Sequence, residues 1–141
     1  MVGEGATAVI QDITADECLP IRQKVLWPDR DLDHSRVPGD DQGLHFGACV
    51  DGTLVSVASV FVKDNEARLR KFAILEDHQG QGIGSQMLTH VMAQMKAQGA
   101  TKLWCDARET AITFYTRFGF SVEGERFFKH EVPYVKMVVG L

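Results

Sequence analysis

The chain has 141 residues, 45% of them hydrophobic, and a formal net charge of -4. That length suits a single domain spanning 1–141 with a core of its own, and the acidic balance argues against nucleic acid as a partner, which a basic excess would mark. Cys18, Cys49 and Cys105 lie far apart with no zinc-type spacing, so they read as free thiols of a reducing compartment, and no metal is expected.

The opening Met1–Gly5 is short and acidic, without the basic and apolar segments of a signal peptide. No apolar run approaches the ~18 residues of a membrane span. A soluble, cytoplasmic protein with no membrane partner is expected.

In chain order, Ala8, Ile10 and Ile13 mark a short first strand. Thr14 and Glu17 have capping-box spacing and open a helix that carries Leu19, Val25 and Leu26 and stops at Pro28. Pro20 near its first turns weakens that helix. Asp29 to Gly43 is a long, acidic surface loop. Three strands follow, His45–Val50, Leu54–Val62 and Ala67–Leu75, joined by the turn signals Asp51-Gly52 and Asp64-Asn65 into an antiparallel meander. After a glycine-rich turn, Ile83, Met87, Leu88, Val91, Met92 and Met95 recur at helical spacing, and Gly99 closes that helix. Lys102–Asp106 is a strand, Ala111–Phe118 a short helix, and two final strands begin at Phe120 and Val132. The order β-α-βββ-α-β-α-ββ predicts an α/β (α+β) domain with a mixed sheet.

The turn Gln79-Gly80-Gln81-Gly82-Ile83-Gly84-Ser85 follows a strand and opens a helix, which is where free N–H groups and the helix dipole favour an anion. A dinucleotide fingerprint starting at Gly80 and Gly82 would need glycine where Ser85 stands, and a strand meander precedes it instead of a βαβ unit. A P-loop would need a lysine that the turn lacks. The pattern (Gln/Arg)-x-x-Gly-x-(Gly/Ala) fits as Gln79, Gly82 and Gly84.

That pattern resembles the GNAT N-acetyltransferase superfamily. The run Leu69–Leu75 looks like the family's bulged central strand, and Ala111–Phe120 is similar to its late helix A-x-x-F-Y-x-x-x-G-F. The resemblance implies a mostly antiparallel sheet of about six to seven strands flanked by helices, split by a coenzyme cleft between the Leu69–Leu75 and Lys102–Asp106 strands. It implies acetyl-CoA as co-substrate, with Phe72, Ala73 and Ile74 along the pantetheine arm. Gln79, Gly80, Gln81, Gly82, Ile83, Gly84 and Ser85 would hold the pyrophosphate, and Phe114 would border the coenzyme. Tyr115 would be the general acid that protonates the departing thiolate, an amine attacking the thioester directly. A tyrosine with pKa near ~10 is protonated at neutral pH and available as a donor. The competing role for Tyr115 is packing among Phe114 and Phe118.

A proton acceptor for the amine is not marked by any motif; Glu66, Asp77, His45, His130 and Glu131 are the candidates. The asparagine that many relatives carry before the late helix is missing, and Asp106-Ala107-Arg108-Glu109 stands there. The implied partner is an amine-bearing acceptor of unspecified identity; the resemblance also allows a homodimer. The overall acidic balance gives a mild preference for a cationic acceptor; the acidic Asp29–Gly43 loop is a candidate border of the acceptor site, and the competing role for its charges is keeping the loop solvated. A catalytically silent acyl-CoA-binding module and a nucleotide-binding fold of another type are the alternatives.

Overall fold

The computed structural model describes residues 7–141, so the Met1–Gly5 stretch lies outside the described residues. Seven strands form one sheet: β1 (Val9–Asp12), β2 (Leu44–Val50), β3 (Thr53–Lys63), β4 (Glu66–Ile74), β5 (Lys102–Arg108), β6 (Ser121–Lys129) and β7 (Val132–Gly140). Their spatial order is β1-β2-β3-β4-β5-β7-β6, and every neighbouring pair is antiparallel except β4 with β5. Three α-helices accompany the sheet: α1 (Ala15–Leu26), α2 (Ile83–Ala97) and α3 (Ile112–Thr116). The mixed, mostly antiparallel architecture expected from the sequence is the one the chain adopts.

Each helix start follows from its local sequence. The Thr14 hydroxyl accepts from the Glu17 N–H at 3.1 Å, and the Glu17 carboxylate accepts from the Thr14 N–H at 2.9 Å, closing a reciprocal cap on α1. Pro20 lies inside α1 without ending it. Its missing N–H bond is outweighed by burial of Cys18, Leu19 and Ile21. On α2, Ile83, Met87, Leu88, Val91 and Met95 form a buried stripe against Val55, Val60, Leu69, Leu103 and Met137. A smaller core beneath α1 holds Cys18, Ile21, Val57 and Ala73.

The acidic loop between α1 and β2 contains two 3-10 turns, Leu32–Ser35 and Asp40–Gln42. Several of its carboxylates have structural work. Asp31 caps the His34 N–H at 3.0 Å, and Asp33 pairs with Arg36 at 2.9 Å. Asp40 receives both terminal nitrogens of the fully buried Arg22 at 2.9 and 3.0 Å, together with the Val37 N–H at 2.9 Å. Arg22 also donates to the Ser59 hydroxyl at 2.8 Å and to the Ser35 carbonyl at 3.1 Å. His45 bridges the Asp40 carbonyl and the Ser59 hydroxyl, each at 2.7 Å. A carbonyl only accepts, so Nε2 of His45 carries hydrogen and, in the neutral ring, Nδ1 accepts from Ser59. The loop is thereby locked onto β2 and β3 by one buried guanidinium.

Burial alone would raise the Asp40 carboxyl, but the Arg22 hydrogen bonds and the Val37 N–H outweigh it and hold Asp40 below the ordinary carboxylate range. The folded value lies below the unfolded one. The contribution of this group to stability is therefore present above about pH 4 and is lost as pH falls through the folded value. Removing one partner of a buried pair leaves an uncompensated charge. Asp40→Ala is expected to cost about 3–5 kcal/mol in urea unfolding at pH 7, and a loss below about 1 kcal/mol would match an exposed pair instead.

Candidate active site

The site begins with an incomplete strand pairing. β4 and β5 run parallel and pair only at Glu66↔Lys102, Ala67↔Leu103 and Arg68↔Trp104. Beyond these, β4 stays paired to β3 as far as Ile74, and β5 stays paired to β7 as far as Arg108. The two halves of the sheet diverge, and β4 presents unpaired backbone groups from Leu69 onward on its β5 side.

A bulge in β4 sets what lines this gap. The register runs from Ser59↔Arg70 to Val57↔Ala73, so Lys71 and Phe72 together oppose Ala58. Lys71 adopts the left-handed region at φ 54°, uncommon for a residue with a side chain. The extra residue reverses the facing pattern. Ala67 and Leu69 belong to the core under α2, whereas Ala73 belongs to the core under α1. Phe72 accordingly turns to the α2 side, its ring 6.3 Å from that of Phe114. Ala73 is buried, and its carbonyl accepts from the Ser56 hydroxyl at 3.0 Å.

Past Ile74, the chain enters the glycine-rich turn. Gly80 and Gly82 have φ of 75° and 83°, and a Cβ at either would meet open space. Glycine is needed there for the backbone path itself. Gly84 answers a different demand: a Cβ would stand 3.1 Å from Ile74 and 3.6 Å from the Phe114 ring, so glycine lets α2 start tightly against β4 and α3. Among the described residues, no backbone N–H from Gly80 to Ser85 has an acceptor; the first to find one is Gln86, bonded to the Gly82 carbonyl at 3.1 Å. Gln79 differs from its neighbours. Its N–H donates to the Glu76 carbonyl at 3.2 Å, and its side-chain amide donates to the Ile74 carbonyl at 2.9 Å. Gln79 therefore braces the turn against the end of β4, and the free donors are those of Gly80–Ser85.

Tyr115 stands on α3 in the main core, 8% exposed, with its ring 5.2 Å from each of Phe114 and Phe120. Its hydroxyl neighbours the Cys105 thiol of β5, close enough for each to act on the other's titration. Burial pushes the phenol well above its ordinary value, and the neighbouring Cys105 adds to the rise. Burial likewise pushes the Cys105 thiol up to about 12, against the opposing effect of the Tyr115 hydroxyl. Tyr115 is thus an aromatic packed in the core, with its hydroxyl on the β5 side beside Cys105.

Comparison with known proteins decides the family. The family model described as acetyltransferase (GNAT) family matches residues 9–120. The chain belongs to the GNAT acetyltransferase family. It is 28% identical over 127 residues, 84% of this chain and 85% of the other, to a Bacillus subtilis protein named uncharacterized N-acetyltransferase YitI. Over 81 residues, 55% of each chain, it is 31% identical to the [ribosomal protein bS18]-alanine N-acetyltransferase of Escherichia coli K12. The crystal structure of the ribosomal-protein-S18-alanine N-acetyltransferase from Escherichia coli has the same fold, with a TM-score of 0.80 and 20% identity over 95% of this chain and 94% of that one. A GNAT acetyltransferase from Elizabethkingia anophelis with acetyl-CoA bound aligns with a TM-score of 0.75 and 18% identity, covering 95% and 98%. The chain is accordingly an acyltransferase.

In this GNAT fold the remaining candidates separate. His45 is committed to Ser59 and the Asp40 carbonyl. Glu66 faces Lys102 at 3.8 Å, at the closed end of the β4–β5 gap. Asp77 lies in the short turn before the glycines, and Arg108 is exposed at the end of β5. His130 is brought toward the bulge: its ring meets the Trp27 ring at 5.6 Å, and the Lys71 ammonium lies 6.0 Å from the Trp27 centroid. No sequence motif marks Trp27, Arg70 or Lys71 as site residues. The available signal was two adjacent cations inside a strand of otherwise alternating character; the left-handed Lys71 that redirects them has no sequence signature.

The burial of Cys18 and Cys105 raises both thiols, and Cys49 is only half-buried. Thiolates are the reactive species. Iodoacetamide at pH 8 is expected to modify Cys49 in the folded protein and to spare Cys18 and Cys105, as read by peptide mass spectrometry. Labelling of Cys105 as fast as Cys49 would contradict the enclosed Tyr115–Cys105 contact.

Proposed function

We propose that this chain is an acetyl-CoA-dependent N-acetyltransferase that moves the acetyl group to a primary amine by direct attack in a ternary complex. The observation that carries the reading is the pairing of an unzipped β4–β5 gap with a row of acceptor-free N–H groups at the foot of α2. Oriented backbone donors beside a helix start suit a pyrophosphate. The unpaired edge of β4 at Phe72–Ile74 suits an extended amide-bearing arm, which can add to it as a strand would. Phe72 and Phe114 supply apolar walls. The relative solved with acetyl-CoA shares this fold, and the three free cysteines fit a reducing, cytoplasmic compartment.

In this reading the amine nitrogen forms a bond to the thioester carbonyl carbon, the carbon–sulfur bond breaks, and the amine's surplus proton passes to solvent. The protein's part is to fix the thioester along β4 and to place a donor at the departing sulfur. Tyr115 is that donor. Burial keeps its phenol protonated. A phenol so raised is a weaker acid than an ordinary thiol, so its contribution is a hydrogen bond to the charge growing on sulfur; the thiolate then takes its proton from water and Tyr115 keeps its own.

Two measurements test this. Calorimetry should show saturable one-site binding of acetyl-CoA and none of NAD or ATP. Tyr115→Phe should lower kcat for thiol release about 100-fold with any accepted amine, while the acetyl-CoA Kd stays within about twofold because the hydroxyl acts on the departing sulfur. Turnover of the variant near wild type would remove Tyr115 from the mechanism and leave it a core aromatic. Binding without any amine transfer would favour the silent acyl-CoA-binding module.

A further inference from the structure

The bulge in β4 has a second product. Arg70 lies opposite Ser59, on the face where Ser59 meets Arg22 and His45. Lys71, the extra residue, reaches the same side, with its ammonium above Trp27 at the end of α1. A bulge breaks the alternation of a strand, so two consecutive cations leave β4 toward one face. Neither side chain makes a hydrogen bond or ion pair with any described residue. Both are half-buried.

This matters because long cationic side chains seldom give up water without a partner. Burial is the leading cause that lowers both Arg70 and Lys71, and neighbouring cations add to it. The carboxylates that act on them are Asp40 and Asp106. Asp40 is occupied by Arg22 at 2.9 Å. Asp106 is shared by Arg68 at 3.0 Å and Lys129 at 3.1 Å. Counting this neighbourhood gives Arg22, Arg68, Arg70, Lys71 and Lys129 against Asp40 and Asp106, an excess of three positive charges in a chain whose net charge is -4. The Trp27 ring, held edge-on by His34 at 4.8 Å and His130 at 5.6 Å, bounds the same space.

Resting on the acetyltransferase reading above, we propose that Arg70 and Lys71 receive an anionic group of the acceptor, so that the substrate class is a small amine that also carries a carboxylate or a phosphate. A guanidinium and an ammonium on adjacent residues present a fork and a point charge, which suits either oxyanion. The position explains why the two sit at the bulge. The same irregularity that turns Phe72 toward the coenzyme side turns Lys71 toward α1, so the amine's anionic end and the thioester are referred to one rigid point of β4. The net charge of -4 favours a cationic acceptor only at long range, and in the acidic loop Asp31, Asp33 and Asp40 are engaged within the protein.

The test compares matched amines with the full chain: lysine against lysinamide for a carboxylate, and glucosamine 6-phosphate against glucosamine for a phosphate. Acetyl-CoA binding is measured first. In wild type, the anionic member of at least one pair should be favoured about tenfold or more in kcat/KM, chiefly through KM, as expected for loss of one charge-assisted hydrogen bond. Arg70→Gln with Lys71→Asn should bring that ratio to about one with the acetyl-CoA Kd within about twofold; asparagine tolerates the left-handed backbone at Lys71. The pair that responds identifies the oxyanion. Equal or better use of the neutral members by wild type would overturn the proposal, whether or not the variant folds. So would a preference that survives both substitutions, or a protein that binds acetyl-CoA and acetylates none of the anionic members. Failure to bind acetyl-CoA at all would instead overturn the underlying acetyltransferase reading.

Discussion

Everything at the site depends on where the pairing of β4 and β5 stops. Three parallel residue pairs hold the two halves of the sheet together at one end. Past them, each strand keeps its outer neighbour and loses its inner one. A gap inside a sheet is costly if its backbone groups are left dry and unpaired. It persists because both flanks are rigid for other reasons. The stripe of α2 packs across β3 and β4, and Leu103, Cys105 and Met137 of β5 and β7 complete the same core. The gap is therefore a property of the fold and leaves an open edge inside an otherwise continuous sheet.

The bulge at Lys71 converts that gap into a two-sided site. By inserting one residue, it reverses the facing of everything after it. Phe72 goes to the α2 side, Ala73 to the α1 side, and Lys71 stands over Trp27. Such strain in a side-chain-bearing residue costs of order 1 kcal/mol or more and persists only where the surroundings over-determine it. Here the Ser56 hydroxyl holds the Ala73 carbonyl, and the Gln79 amide holds that of Ile74. On the α1 side, the buried Arg22 plays the matching part by binding Asp40, Ser35 and Ser59 at once. That single guanidinium turns a polar, acidic segment into a fixed wall.

The fold was legible in the sequence because its signals were local. The Thr14–Glu17 cap, the turn residues at Asp51-Gly52 and Asp64-Asn65, and the three-and-four spacing from Ile83 to Met95 each act within a few residues. The strands and helices follow them closely. The glycine-rich turn was legible for the same reason, since Gly80 and Gly82 are needed for backbone paths that only their own φ angles decide. What escaped was non-local. That Gln79 gives its backbone N–H and one amide N–H to the turn depends on where Ile74 and Glu76 end up. The partnership of Tyr115 with Cys105 joins α3 to β5. The meeting of Trp27, Lys71 and His130 joins three separate stretches of chain. In the acidic loop, too, charge was visible in the composition, but the buried Arg22 that neutralises Asp40 could be seen only in the fold.

The central claim is that the β4 edge and the foot of α2 form one coenzyme cradle. Backbone amide NMR of the full chain titrated with acetyl-CoA tests it most directly. Saturable shifts concentrated in the N–H signals of Phe72–Ile74 and Gly80–Ser85, with no response to NAD, are the predicted result. Shifts centred elsewhere on the sheet, or an unchanged spectrum at saturating acetyl-CoA, would contradict it.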